Sequence, residues 1–212
     1  VIPAERLDDL WRSVDSFDEE SADVALSGLL WDVPLAEALT GVVVPFLQQM
    51  GERWESGRLS VAHEHFASNL LRRRLSALSG VPDGAGAERR PLALLACPSG
   101  ERHDLVLLCF ALLLGQTGWR TLFLGADTPN AAVVSAARAA SVDAVVLAST
   151  RSTALTANAE ALRRLGADHT VYVAGRGADE EVARVVGARL LPADPVAALE
   201  VFAGRAAQGA VT

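Results

Sequence analysis

From Pro3 to about Gly80 the apolar positions recur at three and four residues, as in Leu7, Leu10, Trp11 and Val14, which is the period of a half-buried helix. Four helices are expected, over Pro3–Ser16, Asp18–Trp31, Pro34–Trp54 and Ser60–Ser79, each opened by Pro, Asp or Ser. Gly57 separates the last two. Short connections favour antiparallel neighbours, so residues 1–80 read as a four-helix bundle.

Residues 81–91, VPDGAGAERRP, interrupt any apolar period with helix breakers and small residues and read as a linker. Over residues 92–212 the rhythm changes. Short apolar runs (Leu92–Cys97, Thr121–Leu124, Ala144–Leu147, Val171–Ala174 and Ala188–Leu191) alternate with helical stretches (His103–Leu114, Ala131–Ala140, Ala154–Leu165, Asp179–Val186 and Pro195–Ala206). Strands that are apolar throughout and alternate with helices predict a parallel sheet covered on both faces. The expected fold is α/β, a helical bundle followed by a Rossmann-like, flavodoxin-like sheet of five parallel strands. Such sheets bind ligands beyond the carboxyl ends of their strands, which singles out CPSGERHD, GADTP, ASTRST and AGRGA.

Composition narrows the function. The 212 residues are 50% hydrophobic and 21% charged, as in a folded chain, and 19 basic against 26 acidic side chains give a net charge of −7. Every basic residue is arginine. This balance lacks the basic footprint of a free-standing nucleic-acid binder, so no direct nucleic-acid binding is expected. Cys97 and Cys109 are too few for a disulfide framework, and the apolar run Leu105–Leu114 is short of the roughly 18 residues of a membrane span. With no charged-then-apolar leader at the start, a cytoplasmic protein is expected. A chain opening on Val1 leaves room for an upstream domain.

Chemistry concentrates in two places. Directly after the first strand, Glu101-Arg102-His103-Asp104 delivers an imidazole to the ligand edge with a carboxylate two residues earlier. Such an imidazole can bind a metal through one nitrogen while the carboxylate takes the other N–H. In the helical half, Trp54 is followed by Glu64-His65 across the Gly57 turn, which lets the three side chains converge on one end of the bundle. Taken singly, Trp54 also fits a bundle core, and His63-Glu64-His65 a solvated helix start. Arg72-Arg73-Arg74 reads as a solvated helix face, Trp11, Trp31 and Trp119 as core, and His169 as structural.

Together, W-x9-E-H and E-x-H after the first strand of a Rossmann-like domain resemble the cobalamin (B12)-binding photoreceptor module of the CarH/LitR family. The resemblance runs from the bundle through GADTP to AGRGA. It implies His103 as the lower axial ligand of cobalt in adenosylcobalamin, oriented by Glu101, with Arg102 and Asp104 in the same cofactor-binding loop. It further implies Trp54, Glu64 and His65 capping the upper face around the adenosyl group. Asp127 and Thr128 would lie along the corrin or its tail, and Ser149, Thr150, Gly175 and Gly177 would line the tail tunnel.

The sequence also departs from the family pattern. Val106 stands at the glycine of the family's D/E-x-H-x-x-G, Ala148 at the usual serine with Ser149 one place later, and Ala174-Gly175 at the paired glycines. Glu55 stands where the best-known relatives place a histidine, directly after the capping tryptophan. A light-state histidine ligand from that position is therefore ruled out here.

The implied function is an adenosylcobalamin-dependent light sensor in which photolysis of the Co–C bond changes bundle position and oligomeric state, as a homodimer or tetramer. Output would pass through a MerR-type DNA-binding domain outside this sequence or through a partner protein. Relatives called photocobilins also hold a bilin such as biliverdin, although no residue here marks a bilin site. The alternative is a corrinoid protein carrying methyl groups for a methyltransferase, and a third reading is a flavodoxin-like fold with no cobalamin.

Overall fold

The computed structural model describes residues 4–31, 33–78, 90–157 and 159–206. Most of the expected linker, 81–89, and the side chain of Trp31 lie outside the described residues. The chain divides into two compact units, Val1–Gly80 and Val81–Thr212.

The first unit is helical: α1 (Ala4–Asp15), α2 (Glu19–Trp31), α3 (Leu35–Ala38), α4 (Val44–Glu55) and α5 (Val61–Ala77). A π-helical turn, Leu39–Val43, joins α3 to α4 without a break, so the expected Pro34–Trp54 helix is one rod with a widened turn. Pro45 explains it. Proline has no N–H and crowds the carbonyl four residues back, and a π turn containing Gly41 absorbs the defect. The Trp11 ring packs on Phe46 with centroids 4.3 Å apart, and Leu10, Val14, Leu26, Leu39 and Leu70 of the same unit are also buried.

Two of the three consecutive arginines reach across to α2 while keeping contact with solvent. Arg73 pairs with Glu19 at 2.7 Å, and Arg74 clamps Asp23 through two guanidinium nitrogens. The face read as solvated therefore ties α5 to α2.

The second unit is a parallel sheet of five strands in the order β2-β1-β3-β4-β5: β1 (Leu92–Pro98), β2 (Arg120–Thr128), β3 (Ala144–Ala148), β4 (Thr170–Ala174) and β5 (Arg189–Leu190). Helices α6 (Leu105–Gln116) and α11 (Pro195–Ala206) contribute to the core on one face, around Trp119, Tyr172 and Phe202. On the other lie α7 (Asn130–Ala140), α8 (Ser152–Thr156), α9 (Ala159–Asp168) and α10 (Glu180–Val186). The expected Ala154–Leu165 helix is thus two helices. Helix α6 is apolar all round and buries nine of its side chains, as an all-apolar helix must.

The strand order reverses direction between β1 and β3, the switch point where open parallel sheets leave a crevice for ligands. β2 runs four residues beyond its expected end at Leu124, through Gly125-Ala126-Asp127-Thr128, with irregular register against β1. Irregularities of this kind re-aim side chains beside binding sites, and Asp127 sits in the left-handed region at φ 48°. Among the described residues no helix is long and apolar enough to cross a membrane.

Candidate functional site

The loop after β1 carries Glu101 and His103 to the switch point. Glu101 is 1% exposed. Its Oε1 accepts the His103 backbone N–H at 2.9 Å and lies 2.6 Å from His103 Nδ1. Its Oε2 accepts from Ser149 Oγ at 2.8 Å, the Thr150 backbone N–H at 2.6 Å and Thr150 Oγ1 at 2.7 Å. Ser149 and Thr150 follow β3, so the carboxylate bridges the two strands that flank the crevice.

Burial pushes the Glu101 carboxyl up, but the hydrogen bonds from His103, Thr150 and Ser149 outweigh it and hold the group well below the usual carboxylate range. Glu101 is therefore ionised and can only accept. It follows that Nδ1 of His103 carries the ring proton and donates it, leaving Nε2 with the lone pair. The His103 side chain is 76% exposed. The result is a tautomer-locked imidazole held by a buried anion, which is how proteins present a histidine to a metal.

The remaining predicted residues of this unit support that loop. Asp127 Oδ1 accepts the Gly100 N–H at 2.6 Å, and the Asp127 N–H donates to the Glu101 carbonyl at 2.8 Å. Thr128 pairs with Pro98 across β1 and β2 and donates its hydroxyl to the Gly125 carbonyl at 3.2 Å. Buried Asp104 starts α6, its carbonyl accepting from Leu108 N–H at 2.8 Å, while the neighbouring Arg102 is exposed.

Gly175 and Gly177 let the loop after β4 press on the loop after β3, where the Gly177 N–H donates to the Ser149 carbonyl at 2.9 Å. Arg151, which sequence reasoning overlooked, donates to the Gly100 carbonyl at 2.6 Å. Ser149 and Thr150, which the resemblance assigns to a tail tunnel, both place their hydroxyls on Glu101. Their position directly after the strand next to β1 was the available signal.

In the helical unit, Trp54 lies in the last turn of α4 and is 52% exposed, so it does not belong to the bundle core. The turn that follows folds back, with the Arg58 and Leu59 N–H groups both donating to the Arg53 carbonyl. Ser60 caps α5, accepting from the His63 N–H. This sets Trp54 and the Glu64-His65 pair at one end of the unit. Glu64 accepts from Ser68 Oγ at 2.8 Å and lies 3.4 Å from Nε2 of the exposed His65. Also at this end, and missed from sequence, Phe17 stacks on His63 with ring centroids 4.2 Å apart and meets Phe66 edge-on.

Of the residues placed outside the site, Trp119 is buried and His169 ties its Nδ1 to the Val142 carbonyl at 2.8 Å. Among the described residues no three His, Cys, Asp or Glu side chains gather as a metal cage. A single exposed imidazole whose Nδ1 is tied to Glu101 would supply one ligand, through Nε2, to a metal whose other positions are filled by a carrier it arrives with.

Residues 6–79 match the B12-binding domain family. The chain is 37% identical over 187 residues to the HTH-type transcriptional repressor CarA of Myxococcus xanthus, covering 84% of this chain and 61% of the repressor. It is also 37% identical over 125 residues to the repressor CarH of the same organism, covering 56% of this chain and 40% of CarH. The chain thus spans less than two thirds of either relative. Its fold is similar to that of the Methanosarcina barkeri monomethylamine corrinoid protein, with a TM-score of 0.74 at 17% identity over 95% of this chain and 98% of that one. A cobalamin-binding protein from Desulfitobacterium hafniense aligns with a TM-score of 0.50 at 21% identity, over 92% and 96% of the two chains. With residues 6–79 in the B12-binding domain family and 37% identity to CarA and CarH, this chain is similar to the cobalamin-binding module of the CarH type.

Proposed function

We propose that the chain is an adenosylcobalamin-dependent light sensor whose helical unit and oligomeric state respond to loss of the upper ligand, with output to transcription or to a protein partner. When bound, the cofactor supplies visible absorption and a cobalt–carbon bond weak enough for light to break. His103 would hold the metal through Nε2. Glu101 keeps the ring in the productive tautomer, and Ser149 and Thr150 keep Glu101 charged. Trp54, Glu64 and His65 act on the adenosyl side: the indole supplies a flat apolar surface and the Glu64 carboxylate accepts from the nucleoside.

The observation that carries the reading is the buried Glu101 carboxylate 2.6 Å from Nδ1 of an exposed His103 at the switch point. Coupling to an output requires that the ligand state bias one arrangement of the protein over another, because a ligand shifts an equilibrium only through differential interaction.

The test is dark reconstitution with adenosylcobalamin, with and without biliverdin, followed by absorption spectra and size-exclusion before and after green and then red light. A green-driven change in the corrin bands with a shift in elution is expected. An added red-sensitive band would identify a bilin as second chromophore. A bound corrinoid that is inert to light would favour the methyl-carrier reading, and no corrinoid uptake would overturn both. His103→Ala should abolish the spectrum of histidine-ligated cobalt while leaving the fold intact.

A further inference from the structure

Two buried side-chain atoms among the described residues have no hydrogen-bond partner, Asn130 Oδ1 and Tyr172 Oη. The tyrosine is the more telling. It stands in the middle of β4, 1% exposed, in the apolar layer with Leu95, Cys97, Trp119 and Phe202, its ring 5.0 Å from that of Phe202. A phenol hydroxyl buried without a partner is costly, and phenylalanine would supply the same ring without that cost. A tyrosine here makes physical sense if a partner arrives from outside the chain.

The sheet surface between Tyr172 and the ligand edge is lined by small side chains. Side chains two apart on a strand share a face, so Ala174 lies on the Tyr172 face, one step nearer the edge. Ala148 pairs with Ala174 across β3 and β4, and both pack against the cluster that contains Tyr172 and Cys97. Cys97 Sγ in turn lies 3.9 Å from the His103 carbonyl oxygen. Cys97, Ala148 and Ala174 therefore form a strip of low relief between the loop that carries His103 and the orphaned hydroxyl.

We infer that Tyr172 reads the lower nucleotide base of the bound corrinoid, its hydroxyl donating to an unprotonated ring nitrogen of that base. The inference rests on the cobalamin reading above. With His103 on the metal, the corrinoid's own base is released from cobalt and exposes a nitrogen lone pair. Buried along the strip, that lone pair needs a neutral donor. The chain would then prefer corrinoids whose lower base is a benzimidazole or purine over those with a phenolic base or none.

The experiment is spectrophotometric titration in the dark of wild-type and Tyr172→Phe protein with adenosylcobalamin and with adenosylcobinamide, which has no lower base. Loss of one hydrogen bond should weaken adenosylcobalamin binding about threefold to tenfold and leave adenosylcobinamide binding unchanged. The apo variant should melt no lower than wild type, since it sheds an unpaired buried hydroxyl. Ala174→Leu, which fills the strip, should likewise weaken adenosylcobalamin selectively. Equal affinities of wild type and Tyr172→Phe for adenosylcobalamin, or equal weakening toward both corrinoids, would overturn the inference. Failure of wild type to bind either corrinoid would overturn the cobalamin reading itself.

Discussion

Glu101 holds His103 twice, accepting the backbone N–H at 2.9 Å and facing Nδ1 at 2.6 Å through the same carboxylate oxygen. Loop conformation and ring orientation therefore depend on one buried charge. Glu101→Gln removes that charge, and its amide cannot accept at both ends as the carboxylate does. Cobalamin affinity should fall about 10- to 100-fold, the usual cost of losing the partner behind a metal-binding histidine. A spectral titration checks this, and unchanged affinity would show that Glu101 does not act through His103.

The same charge predicts a pH dependence. Hydrogen bonds overcome burial and hold Glu101 below its ordinary value of 4.5, so the folded state binds the proton less readily than the unfolded chain. Its contribution to stability is complete above that ordinary value and is lost as pH falls through the depressed folded value. The stability gap between wild type and Glu101→Gln should be constant from neutral pH down to about pH 5 and should narrow in more acid solution. Denaturant melts across that range measure it. A gap that persists undiminished in acid would mean that packing, not charge, sets the difference.

Two glycines hold the loops after β3 and β4 together. A Cβ on Gly177 would sit 2.4 Å from the Arg151 carbonyl carbon, and one on Gly175, at φ 89°, would sit 2.5 Å from the Ser149 carbonyl oxygen. Neither obstacle is the far end of a flexible side chain. Gly177→Ala and Gly175→Ala should each cost at least about 2 kcal/mol in stability, measured by denaturant melts. Because Ser149 anchors Glu101, both should also weaken cobalamin binding. Wild-type stability in either variant would contradict the close approach.

How far the sequence carried depended on which features are local. The Leu7, Leu10, Trp11 and Val14 spacing placed α1, and the apolar runs from Leu92 and Ala144 placed β1 and β3, because burial period is written in neighbouring residues. The π turn was hidden, since the apolar period runs through Pro45 without announcing how the backbone absorbs it. The ion pairs of Arg73 and Arg74 were not legible because their acids, Glu19 and Asp23, lie more than fifty positions away. Ser149 and Thr150 were picked out, but their grip on Glu101 joins residues 48 and 49 positions apart and exists only once β3 lies beside β1.

Two of the three tryptophans of the helical unit, Trp11 and Trp54, differ sharply in burial. Trp11 is 5% exposed, packs on Phe46, carries Arg53 over its ring at 3.8 Å and donates Nε1–H to Gln49. Trp11→Ala should therefore cost about 3–5 kcal/mol. Trp54 is 52% exposed at the end of α4, so Trp54→Ala surrenders only part of its apolar burial, about 1 kcal/mol. The exposed half of the indole is available to meet the upper ligand in the function proposed above. Trp54→Ala should keep the melting midpoint near wild type and still take up cobalamin through His103, yet lose the difference in elution volume between dark and illuminated protein. If that difference survives, Trp54 does not sense the upper ligand, and the link between light and assembly must run through other residues of the helical unit.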